Sequence, residues 1–252
     1  MSKDLKPILD RWEYRPGEVT VRKVKGSDGR EKLQMRLQLG VLQMEADGRP
    51  DGQRPHGCES LLEYFEATIE KLKSEGKDES FELTSDECET LRDEALEYYY
   101  RYLSLFHLED YTGVARDTDR NLRAFDLVRD YAKTDADKYS LEQYRPYVVM
   151  MNSQARANIA LGENDLSSAY TVLQQGMDDI RGFFENYGQL RLAEKSEEFK
   201  TLAKQADALK GRIPRDPLDV LRDKLGAAVK EERFEEAARL RDKIQKLQDS
   251  VP

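Results

Sequence analysis

Hydrophobic positions along the chain follow two different periods. Between positions 18 and 41 the period is two. Val19 and Val21 stand among charges, with Val24 one step out of phase, and Leu33, Met35, Leu37, Leu39 and Val41 alternate with Gln34, Arg36, Gln38 and Gly40. This alternation predicts strands with one buried face, and Gly26-Ser27-Asp28-Gly29 supplies the turn of a β-hairpin. Trp12 and Tyr14, just upstream, are expected on the apolar face of that hairpin. Two strands alone are marginally stable, so the hairpin must pack on helices or pair with another chain.

From position 60 onward the period lengthens to that of a helix. Leu61, Leu62, Phe65, Ile69 and Leu72 form a first stripe, closed by the segment 74–80. A second stripe carries Leu91, Ala95, Tyr98, Tyr99, Tyr102, Leu105 and Phe106, with Ser85 as its expected N-cap. Further helices are expected from near Asp110, from about Pro146 to Leu161, after Asp165, and over 189–210. Two passages resemble each other, LFHLEDYTGVARD at 105–117 and NIALGENDLSSAYTVL at 158–173. Each ends a helix on Leu, turns through acidic residues and restarts, which resembles a tetratricopeptide helical hairpin. Their separation of about 55 residues is not the period of about 34 that true repeats keep.

Between the two regimes, residues 46–58 carry Gly48, Gly52, Gly57, Pro50 and Pro55. Arg49, Arg54 and His56 make this loop the one chemistry-like cluster, and two readings of it stand: a structural cover for the hairpin, or an anion- or peptide-binding loop. His56 and Cys58 offer two metal ligands where zinc needs three or four, so no metal or other cofactor is expected. The tyrosines at 98, 99, 100 and 102 read either as core plus rim or as a stacking platform for ligand rings.

The carboxy-terminal segment 212–252 is a third region. Asp216 and Pro217 suit the cap and first turn of a helix. Leu218, Leu221, Leu225 and Val229, then Phe234, Ala237, Leu240, Ile244 and Leu247, define two short amphipathic helices joined near 231–233. The run VKEERFEEAARLRDKIQKL within it closely resembles the UVR motif of the excision-repair proteins UvrB and UvrC, which also occurs in the Clp ATPase ClpC and the arginine-kinase activator McsA. Leu218, Leu221, Leu225, Val229, Phe234, Glu235, Ala237, Ala238, Leu240, Arg241, Asp242, Ile244 and Leu247 occupy family positions, whereas Arg233 stands where an acidic residue is commonest. The resemblance covers about 35 residues and implies a docking hairpin whose partner carries a like hairpin: a UvrB/UvrC-type protein, a Clp-type protein, or a second copy. Leu221, Leu225, Val229, Phe234, Ala237, Ala238, Leu240, Arg241, Asp242 and Ile244 are the expected partner-binding residues, with Phe234 the anchor.

Composition narrows the function classes. The 252 residues are 36% charged with a net charge of −9, and about −10 of it lies between the first 60 residues and the last 37. An acidic body lacks the basic face that phosphate backbones require, so direct nucleic-acid binding is not expected. Cys58 and Cys88 are the only cysteines, which excludes a four-cysteine zinc site, and no apolar run approaches a membrane span. No nucleotide-binding loop or paired zinc cysteines accompany the motif, so no catalytic residue and no enzymatic activity are expected. The expectation is a mostly α cytoplasmic protein of three parts. Residues 1–58 form a small β-hairpin region with its loop, 59–211 an acidic helical bundle with tetratricopeptide-like hairpins, and 212–252 a UVR-like αα-hairpin. Three roles follow: an adaptor accessory to UvrB/UvrC-type nucleotide excision repair, an adaptor or regulator of Clp-type proteolysis and arginine phosphorylation, or a ligand-binding protein using the 46–58 loop.

Overall fold

The computed structural model describes residues 4–77, 81–213 and 217–249, with the side chains of 217–220 and 246–249 outside that description. The chain forms two compact units, Met1–Leu209 and Lys210–Pro252. The first opens with the single turn α1 (Lys6–Leu9) and a three-stranded antiparallel sheet of β1 (Val21–Lys25), β2 (Glu31–Leu37) and β3 (Gly40–Glu45), in that order.

The third strand corrects the expected two-stranded hairpin. Leu37 pairs with Gly40, so the run 33–41 reverses through Gln38 and Leu39 rather than continuing as one strand. Leu39 is 88% exposed at that reversal. A two-residue turn moves the inward positions from odd numbers (Leu33, Met35) to even ones (Leu42, Met44), but apolar Leu39 and Val41 continue the odd alternation, so the sequence shows no break there. Leu33, Met35 and Met44 face the helices and pack on Tyr102, Val114 and Met151. Trp12 and Tyr14 lie elsewhere than expected. The Arg22 guanidinium stacks 4.0 Å over the Trp12 ring, and Arg36 donates from Nε to the Trp12 carbonyl at 2.7 Å. Residues 22 and 36 alternate with the buried ones, so these aromatics cover the opposite face of the sheet.

The helices are α2 (Leu61–Ser74), α3 (Ser85–His107), α4 (Tyr111–Tyr131), α5 (Asp135–Glu142), α6 (Arg145–Gly162), α7 (Leu166–Asn186), α8 (Leu190–Ala193) and α9 (Glu197–Lys210). Thr84, not Ser85, caps α3 in a capping box. Its hydroxyl accepts from the Glu87 N–H at 3.3 Å, and the Glu87 carboxylate accepts from the Thr84 N–H at 2.8 Å. Ser85 is free to donate to Asp137 instead, at 2.8 Å. The expected helix over 189–210 is broken into α8 and α9, and the Ser196 hydroxyl accepts from the Phe199 N–H at the restart. The short α5, capped by Thr134, has no counterpart in the sequence reading.

The two similar passages prove alike in their turns. Glu109 and Asn164 both adopt left-handed backbone, with φ of 59° and 60°. In each case the next N–H reaches back to a carbonyl five residues earlier, Asp110 to Leu105 and Asp165 to Ala160, both at 2.9 Å. The same aspartates then cap the following helices through the Gly113 and Ser168 N–H groups.

Among the described residues three hydrophobic clusters result, and α6 contributes to all of them through Val148, Val149 and Met151. One lies among α2, α3, α4 and α5, one among α6, α7 and α9, and one beneath the sheet. No helix among the described residues is long and apolar enough to cross a membrane.

The α6–α7 contact is set by Gly176, where an added Cβ would fall 2.1 Å from the Ser153 Oγ. Gly176→Ala should therefore cost about 1–3 kcal/mol in urea unfolding, outweighing its gain in helix propensity. Gly182→Ala, on the same helix with nothing within 4 Å, should gain about 0.5–1 kcal/mol. Equal shifts for the two variants would show that the contact is loose.

Candidate docking hairpin

The second unit consists of α10 (Pro217–Lys230) and α11 (Phe234–Asp249). Asp216, the expected cap, lies outside the described residues, as do the side chains of Leu218 and Leu247. The turn repeats the geometry of the two in the body. Glu232 is left-handed, with φ of 57°, and the Arg233 N–H donates to the Ala228 carbonyl at 2.8 Å. Arg233 then sits between Glu231, at 2.9 Å, and Glu236. Its departure from the family pattern thus places a cation among the four glutamates of the tip.

The structure divides the expected partner-binding residues into two sets. Leu221, Ala237 and Ile244 are buried, and Leu225 and Leu240 are half-buried, so these hold the two helices to each other. Ala228, at 0% exposure, belongs with them, in the place where the leucine spacing predicts Val229. The spacing 221, 225, 228 follows the helical period as well as 221, 225, 229 does, and only the partner helix decides which alternative turns inward. Val229 is consequently 53% exposed and Phe234 is 68% exposed. Ala238, Arg241 and Asp242 are also exposed, the last two 3.7 Å apart. The tip therefore offers an aromatic ring and a branched aliphatic group on either side of the turn.

A family model for the UvrB/uvrC motif matches residues 216–250. The protein carries a UVR motif. No curated protein and no solved structure matches the chain. The matched segment lies within the second compact unit.

The 46–58 loop of the first unit takes a different form. Its Arg49 turns inward, with Nε 3.3 Å from Glu94, 3.4 Å from Asp51 and 3.5 Å from Glu97. Arg54 is exposed, and the His56 ring stacks on Tyr64 with centroids 4.0 Å apart. The three candidate residues therefore have different surroundings. The loop is strapped down from α3 and α4. Arg101 makes a bidentate pair with Asp117 at 2.7 Å and donates to the Gly48 carbonyl at 2.6 Å, while Arg116 donates to Asp47 and the Ala46 carbonyl. Among the described residues, no group of three or more His, Cys, Asp or Glu is placed to hold a metal ion.

Glu94 lies at the centre of this polar core with no solvent exposure. It accepts from the Leu61 and Leu62 N–H groups at the start of α2, at 2.8 and 3.3 Å, and contacts Arg120. Burial, with Arg123 and Arg49 nearby, pushes the Arg120 guanidinium down to about 9. Burial also raises the Glu97 carboxyl, with Asp51 adding to it. Glu94→Gln should destabilise the first unit by about 3–5 kcal/mol, because it leaves buried guanidinium charge uncompensated. Glu89→Gln, which removes a surface partner of Arg92, should change stability by less than about 1 kcal/mol. Urea denaturation followed by circular dichroism distinguishes the two.

Cys88 is buried, and that burial followed by Asp137 and Glu87 pushes its thiol up to about 11. Cys58 is only half-buried. A thiol reagent at pH 8 should label one cysteine per native chain and two per unfolded chain. Rapid labelling of Cys88 in the native protein would mean that α3 opens locally.

Proposed function

We propose that this protein is a non-enzymatic adaptor that docks another protein through its UVR hairpin, in the cytosol. Its partner carries a like hairpin, of the kind found in UvrB/UvrC-type excision repair. The observation that carries the reading is the exposure of Phe234 and Val229 at the tip of a hairpin whose other described large apolar side chains, Leu221, Leu225, Leu240 and Ile244, are wholly or partly covered. A large exposed aromatic beside a branched aliphatic is the usual anchor of a small interface. Arg241 and Asp242 on the exposed face of α11 supply ionic contacts that set register and partner choice more than affinity. The segment 216–252 carries a net charge of −1, which favours a protein partner over a phosphate backbone.

The test is affinity capture from host lysate with the full chain, with Phe234→Ala, and with a chain ending at Pro214. The intact protein should retain a UvrB- or UvrC-type protein. Phe234→Ala should weaken that association by about 2 kcal/mol or more. The shortened chain should abolish it. Retention of a Clp-type protein instead would replace excision repair with regulated proteolysis as the setting. A prey list unchanged by removal of the hairpin would overturn the docking role itself.

A further inference from the structure

Four helices of the first unit line a cavity of about 420 Å³. Its floor is Tyr102, Phe125, Leu141 and Val148, all 2% exposed or less. Tyr99 and Tyr147 form a wall, with ring centroids 6.1 Å apart, and the Tyr99 ring meets Tyr102 edge-on at 5.5 Å. Leu96 and Tyr144, each about half exposed, stand at the mouth. A volume of this size falls within the range of about 300–1,000 Å³ typical of small-molecule sites, which are likewise apolar with few polar groups.

The polar groups of the lining define what fits. The Asn121 side chain is already engaged, donating to the Ala95 carbonyl at 2.9 Å and accepting from Arg120 at 3.1 Å. Arg92 at the mouth donates to Glu89. Asp93 is exposed to solvent. That leaves the tyrosine hydroxyls. Tyr102, 1% exposed, lines the floor beside Tyr99. A phenol hydroxyl can both donate and accept, so in an apolar wall it is the group suited to meet a ligand's polar atom. A charged ligand would find no uncommitted counter-charge on the floor and would lose its hydration on entry.

We infer that this cavity is a binding site for an uncharged, ring-bearing small molecule whose one hydrogen-bonding group meets the Tyr102 hydroxyl. The lining belongs to the first unit, and ligand occupancy gives the helical body a function of its own.

The full chain titrated with 4-methylphenol and with indole, followed by saturation-transfer NMR, tests this. Both probes should bind saturably with a Kd below about 1 mM. Tyr102→Phe, which removes only the hydroxyl, should weaken 4-methylphenol about tenfold, the worth of one hydrogen bond. Tyr144→Ala, at the exposed mouth, should weaken both probes while leaving the circular dichroism spectrum unchanged. Benzoate and benzylammonium should fail to saturate. The inference is overturned if neither neutral probe binds, if Tyr102→Phe binds 4-methylphenol as tightly as the native chain, or if the charged probes compete equally.

Discussion

The Glu94 carboxylate organises the first unit. It is wholly buried, it accepts the two leading N–H groups of α2, and it faces Arg120 from α4 and Arg49 from the loop after β3. A buried anion at a helix N-terminus is favoured by the helix dipole and by unsatisfied N–H groups, and a buried cation needs that anion in turn. Glu94 therefore settles three placements together: where α2 begins, how α3 faces α4, and how the loop is held. About two turns further along α3, Arg101 repeats the logic, pairing with the buried Asp117 and donating to the carbonyls of Glu45 and Gly48 at the end of the sheet. The Tyr98 ring lies between the two systems, with the Arg101 and Arg120 guanidiniums 4.8 and 4.2 Å from its centroid.

This polar core also explains what the 46–58 loop does in the fold. Arg49 is one of its members, so its charge compensates Glu94 and its acidic neighbours rather than facing solvent. The tyrosine-rich stretch of α3 is divided by the same geometry. Tyr98 turns toward the arginines, while Tyr99 and Tyr102 turn toward the cavity among α3, α4, α5 and α6. Adjacent residues on a helix point about 100° apart, so one short aromatic run serves an ionic core on one side and an apolar cavity on the other.

In the second unit the division is between residues that build the hairpin and residues that the hairpin displays. Its turn shares the left-handed residue and the backward hydrogen bond of the turns at Glu109 and Asn164. The tight turn holds the tip so that Val229 and Phe234 flank it. Leu221, Ala228, Ala237 and Ile244 supply the contact between the helices. With Leu225 and Leu240 half-buried beside them, the hairpin closes on itself and still leaves its largest ring exposed.

Local signals in the sequence were enough for the helical body, the helix restarts near Asp110 and after Asp165, and the UVR hairpin. Each rests on contacts within a few residues: side-chain period, a capping oxygen, a motif in which neighbouring letters carry the information. What the sequence left open or misplaced depends on groups far apart in the chain. The reversal at Gln38 and Leu39 shifts the inward positions from odd to even while Leu39 and Val41 prolong the odd alternation, so only strand pairing reveals it. Whether Ala228 or Val229 turns inward is decided by α11, and whether Arg49 is free is decided by Glu94, 45 residues away. The cavity is likewise a product of tertiary structure, because its lining comes from four helices between positions 92 and 148. Local periodicity reports which side chains share a face; only packing determines what that face meets.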